Sequence, residues 1–298
     1  MNKMVLPKSL RGSADLEEAR KKTIEGFKDD PAVYETIQRL GLSKGQVKEF
    51  IGPLLDLQED LAYCASCPGL ANCRKANPHF NVRLEMEDGY LDRHYDPCHL
   101  AQEEAEFEQK YIKHEFPSDW KEYDLKDVDR SKKRNDVLVE MSKILMKKSS
   151  RWLYLVGGKR SGKSMMLAAF SNMFADRIAS PVAFLSCASL IDELKNLSFD
   201  DKEGYAKRFD AYASCPLLVI DGLGNEFVSE YNFSTFLFPL LTYRSQHSLL
   251  TCFASSLTLQ EVCSLYAEKV GKIRAKQLYQ LLKDYCVKEI DVSGADVY

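Results

Sequence analysis

The chain has 298 residues, a formal net charge of −3, 45% hydrophobic and 29% charged residues, enough length for two domains and no global attraction to nucleic acid or anionic membrane. No apolar run approaches the roughly 20 residues of a membrane span. The N-terminal Met-Asn-Lys-Met-Val-Leu-Pro-Lys holds no apolar stretch of signal-peptide length, so the expected location is the cytoplasm, without membrane contact.

From 15 to 63 apolar residues recur at helical spacing, through Ile24, Phe27, Val33, Ile37 and Leu40 and again through Val47, Ile51, Leu54, Leu57 and Leu61. Gly41 and Ser43 divide the run, and Ser43 suits a helix N-cap. A stretch rich in cysteine and histidine follows, from 64 to 99, with a short hairpin expected at 80–91 around Glu87-Asp88-Gly89. Residues 100–114 read as a charged helix, and 115–130, without sustained periodicity, as a linker that partly docks on the next domain. A helix over 137–146 leads into strands expected at 153–156, 182–185, 217–221, 249–254 and 287–292. Helices fall between them, for example at 163–175, 229–244 and 271–284. Strands alternating with helices imply an α/β fold, a parallel sheet flanked by helices. The domain reading is 1–114, a linker 115–130, and 131–298.

Gly157-Gly158-Lys159-Arg160-Ser161-Gly162-Lys163-Ser164 satisfies G-x-x-x-x-G-K-[ST] in full. Glycines let successive backbone N–H groups point at phosphate oxygens, Lys163 supplies a point charge for the β- and γ-phosphates, and Ser164 ligates Mg²⁺. The strand before it and the helix after it are what the motif requires. The run Leu217-Leu218-Val219-Ile220-Asp221 is a buried strand ending in an acid, which places Asp221 beside the loop to hold the Mg²⁺ water shell. ATP and Mg²⁺ are the expected ligands.

Cys64, Cys67, Cys73, His79 and Cys98 give C-x2-C-x5-C-x5-H-x18-C. A C-x-x-C pair closed by a second pair suits structural Zn²⁺. Cys64, Cys67 and Cys98 are three ligands, and the fourth is His79 or Cys73. The remaining cysteines, Cys187, Cys215, Cys252, Cys263 and Cys286, lie in apolar surroundings and read as core. Basic clusters at 132–134, at 147–148 with Arg151, and at 269–276 read as solvated helix faces. Tyr243-Arg244 and Tyr279 are candidates for stacking on nucleic-acid bases.

Taken in this order, the two constellations resemble the DnaI/DnaC branch of the AAA+ ATPases, the bacterial helicase loaders. The resemblance covers most of the chain and rests on Cys64-Ala65-Ser66-Cys67, Pro78-His79, Asp96-Pro97-Cys98, the loop with its helix, and Val219 to Glu226. It implies a small helical zinc-binding domain before a AAA+ ATP-binding domain, and it favours His79 as fourth zinc ligand. It also implies docking of the hexameric replicative helicase by the N-terminal domain, delivery of that helicase onto single-stranded DNA during replication, and contact with other primosome proteins. The sequence departs from the family at three places. Gly222 replaces the acid that commonly follows the aspartate, leaving Glu226 as a substitute catalytic residue. Ala254-Ser255-Ser256 stands where Ser-Asn is usual, so Ser256 would face the γ-phosphate. Gln277 and Leu281 stand where arginines are expected, with Arg274 and Lys283 as nearby cations. These departures imply weak ATPase activity. A transposition-helper ATPase resembling IstB and an adaptor with a vestigial nucleotide site are the alternatives.

Overall fold

A computed structural model describes residues 13–128, 130, 132–178 and 180–292. The N-terminal stretch read for a leader, and Asp129 of the expected linker, lie outside the described residues. The chain forms two compact units, Met1–Ala105 and Glu106–Tyr298. No helix among the described residues is long and apolar enough to cross a membrane.

The first unit starts with four helices, α1 (Ser13–Asp29), α2 (Pro31–Arg39), α3 (Lys44–Glu49) and α4 (Ile51–Ala65). The starts of α2 and α3 have a local cause. Asp30 accepts the backbone N–H groups of Ala32 and Val33 while Pro31, with no N–H to satisfy, opens α2. Ser43 and Gln46 form a reciprocal capping box on α3. β1 (Phe80–Glu87) and β2 (Tyr90–Pro97) then pair along their whole length, a longer hairpin than expected. Asp88 and Gly89 turn it with φ of 50° and 87°, the left-handed pair that matches strand twist. Phe27, Val33, Val47, Leu54 and Leu57 of the helices pack with Leu84 and Leu91 of the hairpin into one core. α5 (His99–Gln109) carries the chain past the unit boundary.

The second unit is a six-stranded, wholly parallel sheet in the order β3-β5-β6-β7-β4-β8. The strands are β3 (Tyr111–His114), β4 (Trp152–Val156), β5 (Val182–Ser186), β6 (Leu217–Asp221), β7 (Leu250–Ser255) and β8 (Cys286–Asp291). Alternate side chains feed two cores. Leu153, Leu155, Leu217 and Val219 meet α6 (Lys132–Leu145) and α7 (Lys163–Ala175). Trp152, Tyr154, Leu218 and Ile220 meet α8 (Cys187–Asp200), α9 (Lys202–Ser214), and helices nearer the C-terminus. This is the AAA+ P-loop architecture, a parallel sheet flanked by helices. After β6 come α10 (Glu230–Asn232), a π-helical turn (Phe233–Leu237) and α11 (Phe238–Gln246), where one helix over 229–244 was expected. Pro239 lacks the N–H that the regular ladder needs there. α12 (Leu259–Val270) and α13 (Lys272–Tyr285) complete the unit.

A further expectation differs from the structure. The charged helix ends at Gln109, and Tyr111–His114 is the edge strand of the large sheet, pairing with β5. The stretch 115–130 packs on the second unit. Phe116, Leu125 and Val128 are buried in the second unit's core. The Asn172 side-chain amide donates to the carbonyls of Trp120, Lys121 and Tyr123, fixing an irregular segment whose backbone has no ladder of its own.

Candidate functional site

The chain leaves β4 toward β5, returns through β6 and β7, and re-emerges as β8 on the other side of β4. β4 is therefore where the winding reverses, and ligands of such sheets bind outside the strand C-termini at that point. Register levels those ends. Val156 pairs with Ser255 and Asp221 with Ala254. The loop after β4, the acid of β6 and Ser256 after β7 thus leave the sheet at one edge.

Gly157 donates to the Ser255 carbonyl, pinning the loop to β7. Lys159 and Arg160 are exposed at its tip, Arg160 with a φ of 60°. Ser161 is buried, and Gly162, at φ 85°, turns the chain into α7. Lys163 folds back onto its own loop, donating to the Gly157 and Gly158 carbonyls at 2.7 Å each and to Ser161 Oγ at 3.2 Å. These three bonds use all its donors, so an incoming phosphate must replace them. Burial lowers the Lys163 pKa, opposed by the charge of Asp221. Burial raises the Asp221 pKa, opposed by a hydrogen bond from Ser164 and by Lys163. The three residues expected at phosphate and Mg²⁺ are thus brought together. Arg134, read as part of a solvated basic face, is buried, and its guanidinium donates to the Ser161 carbonyl at 3.4 Å.

Gly222 has a φ of 71°, and a Cβ there would stand 2.8 Å from Asn225 Nδ2. An acid after Asp221 is therefore disfavoured by the backbone itself. Glu226 is not a free base. Its buried carboxylate accepts the Gly224 N–H at 2.7 Å and the Tyr266 hydroxyl, and Cys187 lies against it. Ser255 is occupied too, donating to the Leu223 carbonyl and accepting the Leu257 N–H, while Ser256 is exposed at the strand end. Arg274 is paired with Glu230 at 3.1 Å and with the Ser234 hydroxyl. Lys283 is exposed near the Tyr279 ring.

Arg244, read as a stacking residue, is fully buried. It donates to the carbonyls of Tyr212, Ala213, Cys215 and Leu250 and to Thr251 Oγ1. Its charge is met by the C-terminal carbonyls of α9, the negative end of that helix. The neighbouring Tyr243 is exposed and stacks with His247, and Tyr279 is half-buried; a second exposed pair lies elsewhere. Phe199 and Tyr231 stack with centroids 6.3 Å apart and planes 24° apart. Sequence periodicity missed them because each stands outside an apolar stripe.

In the first unit, Cys64, Cys67, Cys73, His79, Cys98 and His99 line one cavity of about 40 Å³. His79 Nε2 lies 2.9 Å from the Leu70 carbonyl, which leaves Nδ1 for another partner. Backbone N–H groups of His79 and Lys75 hold the Cys73 thiol below its ordinary pKa. Lys75 binds Asp60 at 2.6 Å and approaches Cys64 Sγ to 3.4 Å. The soft donors share a cavity but are not gathered to ligating distance. Among the described residues the trio of donor atoms within 4.8 Å of one another is Glu85, Glu87 and His94 on the hairpin.

No family model matches the chain. The replicative helicase loader DnaI of Bacillus subtilis (strain 168) is 20% identical over 229 residues, covering 74% of this chain and 73% of that protein. The crystal structure of DnaI matches with a TM-score of 0.52 at 25% identity, covering 60% of this chain and 95% of that one. A proposed primosome component of Streptococcus pyogenes serotype M3 matches with a TM-score of 0.54 at 20% identity, covering 66% and 100%. In sequence and in fold, the chain resembles the helicase loader DnaI and the DnaI/DnaC branch of the AAA+ ATPases.

Proposed function

We propose that this chain is an ATP-controlled loader that binds the hexameric replicative helicase and delivers it onto single-stranded DNA. The observation that carries the reading is the extent of the likeness to DnaI. It runs over 229 residues, more than the second unit contains, and so reaches into the cysteine-bearing unit that a plain ATPase has no call for. ATP would be held by residues 157–164, with Lys163 on the phosphates. Ser164 and Asp221 would hold Mg²⁺, and Ser256 would stand near the γ-phosphate. The stacked pair Phe199 and Tyr231 offers a platform for unpaired bases.

In the first unit, Cys64, Cys67, Cys98 and His79 would hold Zn²⁺, with Cys73 the alternative to His79. Bound zinc supplies folding energy to a small unit rather than chemistry. The cavity, the soft donor set and the His79–Leu70 hydrogen bond, of the kind that orients a ligating imidazole, support this assignment. The helicase would be met by this N-terminal unit.

A second reading, an adaptor with a vestigial nucleotide site, is favoured by the backbone of Gly222 and the captive Glu226. Size-exclusion chromatography with light scattering, run on the chain mixed with the replicative helicase of the same organism, tests the loader. Co-elution that changes with ATP, and loses that change in Lys163→Ala, is the expected result. Separate elution with and without ATP overturns it. Co-elution indifferent to both ATP and Lys163→Ala selects the adaptor.

A further inference from the structure

A groove of about 690 Å³ is walled by α1, α2 and α3 in the first unit. Its floor is apolar, formed by Ile24, Phe27, Ile37, Leu42 and Val47. Phe27 and Val47 are buried, whereas Ile24, Ile37 and Leu42 are only half-buried. The three short helices share one core with α4 and the hairpin, and that core leaves part of their apolar stripes uncovered.

The walls have a definite charge. α1 lines the groove with Arg20, Lys21 and Lys28, and α3 with Lys44 and Lys48, against Glu17 and Glu25 of α1. Five cations face two acids in a chain whose net charge is −3. None of the five cations has an ion-pair partner among the described residues.

An apolar floor bordered by charged side chains suits an amphipathic helix laid into it, apolar face inward and polar flanks outward. The surplus of cations around the floor selects acidic flanks on that helix. Its apolar ridge would meet Ile24 and Ile37, and its acidic side chains would meet the cations of α1 and α3. We propose that this groove docks an acidic amphipathic helix of a partner protein. The proposal deepens the loader reading and rests on it, assigning that helix to the replicative helicase.

The test uses the full chain and a charge-reversed triple variant, Lys21→Glu with Lys28→Glu and Lys48→Glu. All three side chains are exposed, and a thermal melt checks that the variant folds. The probe is a fluorescein-labelled helical peptide of roughly 18 residues, with leucines at helical spacing flanked by glutamates, beside a twin carrying lysines in place of the glutamates. The expected result is binding of the acidic peptide by the native chain, weakened about tenfold or more by the triple variant, which in turn gains the lysine peptide. Helicase co-elution is then weakened by the same variant. Equal binding of both peptides overturns the proposal. So does displacement of the acidic peptide by oligo(dT) or by phosphatidylglycerol vesicles, which would mark a general polyanion surface. If the helicase binds native and variant chains alike, the groove assignment falls and the loader reading stands. If the helicase binds neither while the acidic peptide still distinguishes the two chains, the loader reading and the helicase assignment fall together. The groove's preference for an acidic helix is then upheld.

Discussion

The Tyr266 hydroxyl donates to the buried carboxylate of Glu226, joining two residues 40 positions apart. The Gly224 N–H takes the other carboxylate oxygen, so Glu226 braces the loop after β6 and is held away from water. Glu226→Gln is expected to leave ATP turnover within about twofold of the native rate, whatever that rate is. Tyr266→Phe is expected to lower stability by about 1–3 kcal/mol, because it strips a donor from a buried carboxylate. Steady-state turnover and urea unfolding check the pair; a collapse of turnover in Glu226→Gln with unchanged stability would restore it as a catalytic base.

Asp221 carries a pH signature. Burial raises its pKa, so the folded chain holds that proton more tightly than the unfolded chain does. Its contribution to stability therefore falls as pH rises through the window between the two pKa values. Asp221→Asn is expected to raise the melting temperature at neutral pH by a few degrees and to weaken Mg²⁺-ATP binding by about tenfold or more. Melts from about pH 5 to pH 8 check the sign, since the gain should shrink toward acid.

Arg244 should behave as structure, not as a nucleic-acid contact. Arg244→Ala orphans four carbonyls and Thr251 Oγ1, and a loss of about 3 kcal/mol or more is expected. Phe199→Ala with Tyr231→Ala is the contrasting pair. These rings are exposed, so the double variant should fold normally yet bind oligo(dT) more weakly by about 1–3 kcal/mol per lost stacking contact. Fluorescence anisotropy at two salt concentrations separates stacking loss from charge loss, because only the latter changes the salt slope.

Zinc is checked by metal analysis of the purified chain. About one Zn²⁺ per chain is expected, lost in Cys98→Ser. Removal by a chelator should lower the melt of the first unit while nucleotide binding by the second persists. Comparing His79→Ala with Cys73→Ala identifies the fourth ligand by which variant releases the metal.

Much of the second unit was legible in the sequence because β4, β5, β6 and β7 are largely apolar runs and the phosphate loop has an obligatory order of residue types. β3 escaped because it is a four-residue edge strand, with Lys113 and His114 directly after a charged helix, and so lacks a buried-strand composition. The residues by which 115–130 docks escaped for another reason. Phe116, Leu125 and Val128 are buried one at a time by an irregular backbone, which no periodicity reports. The roles of Arg244 and Glu226 depend on partners far away along the chain. A polar residue type names neither the partner nor its burial.

The matched heights of β4, β6 and β7 make the site depend on counting. A substitution inside β6 that keeps an apolar side chain leaves Asp221 opposite Ala254. A one-residue deletion there reverses the facing of every later strand residue and draws the acid back from the edge where the phosphate loop ends. Length variation in this chain should therefore gather in the connections away from that edge, while the spans from each strand start to its site residue stay fixed in length.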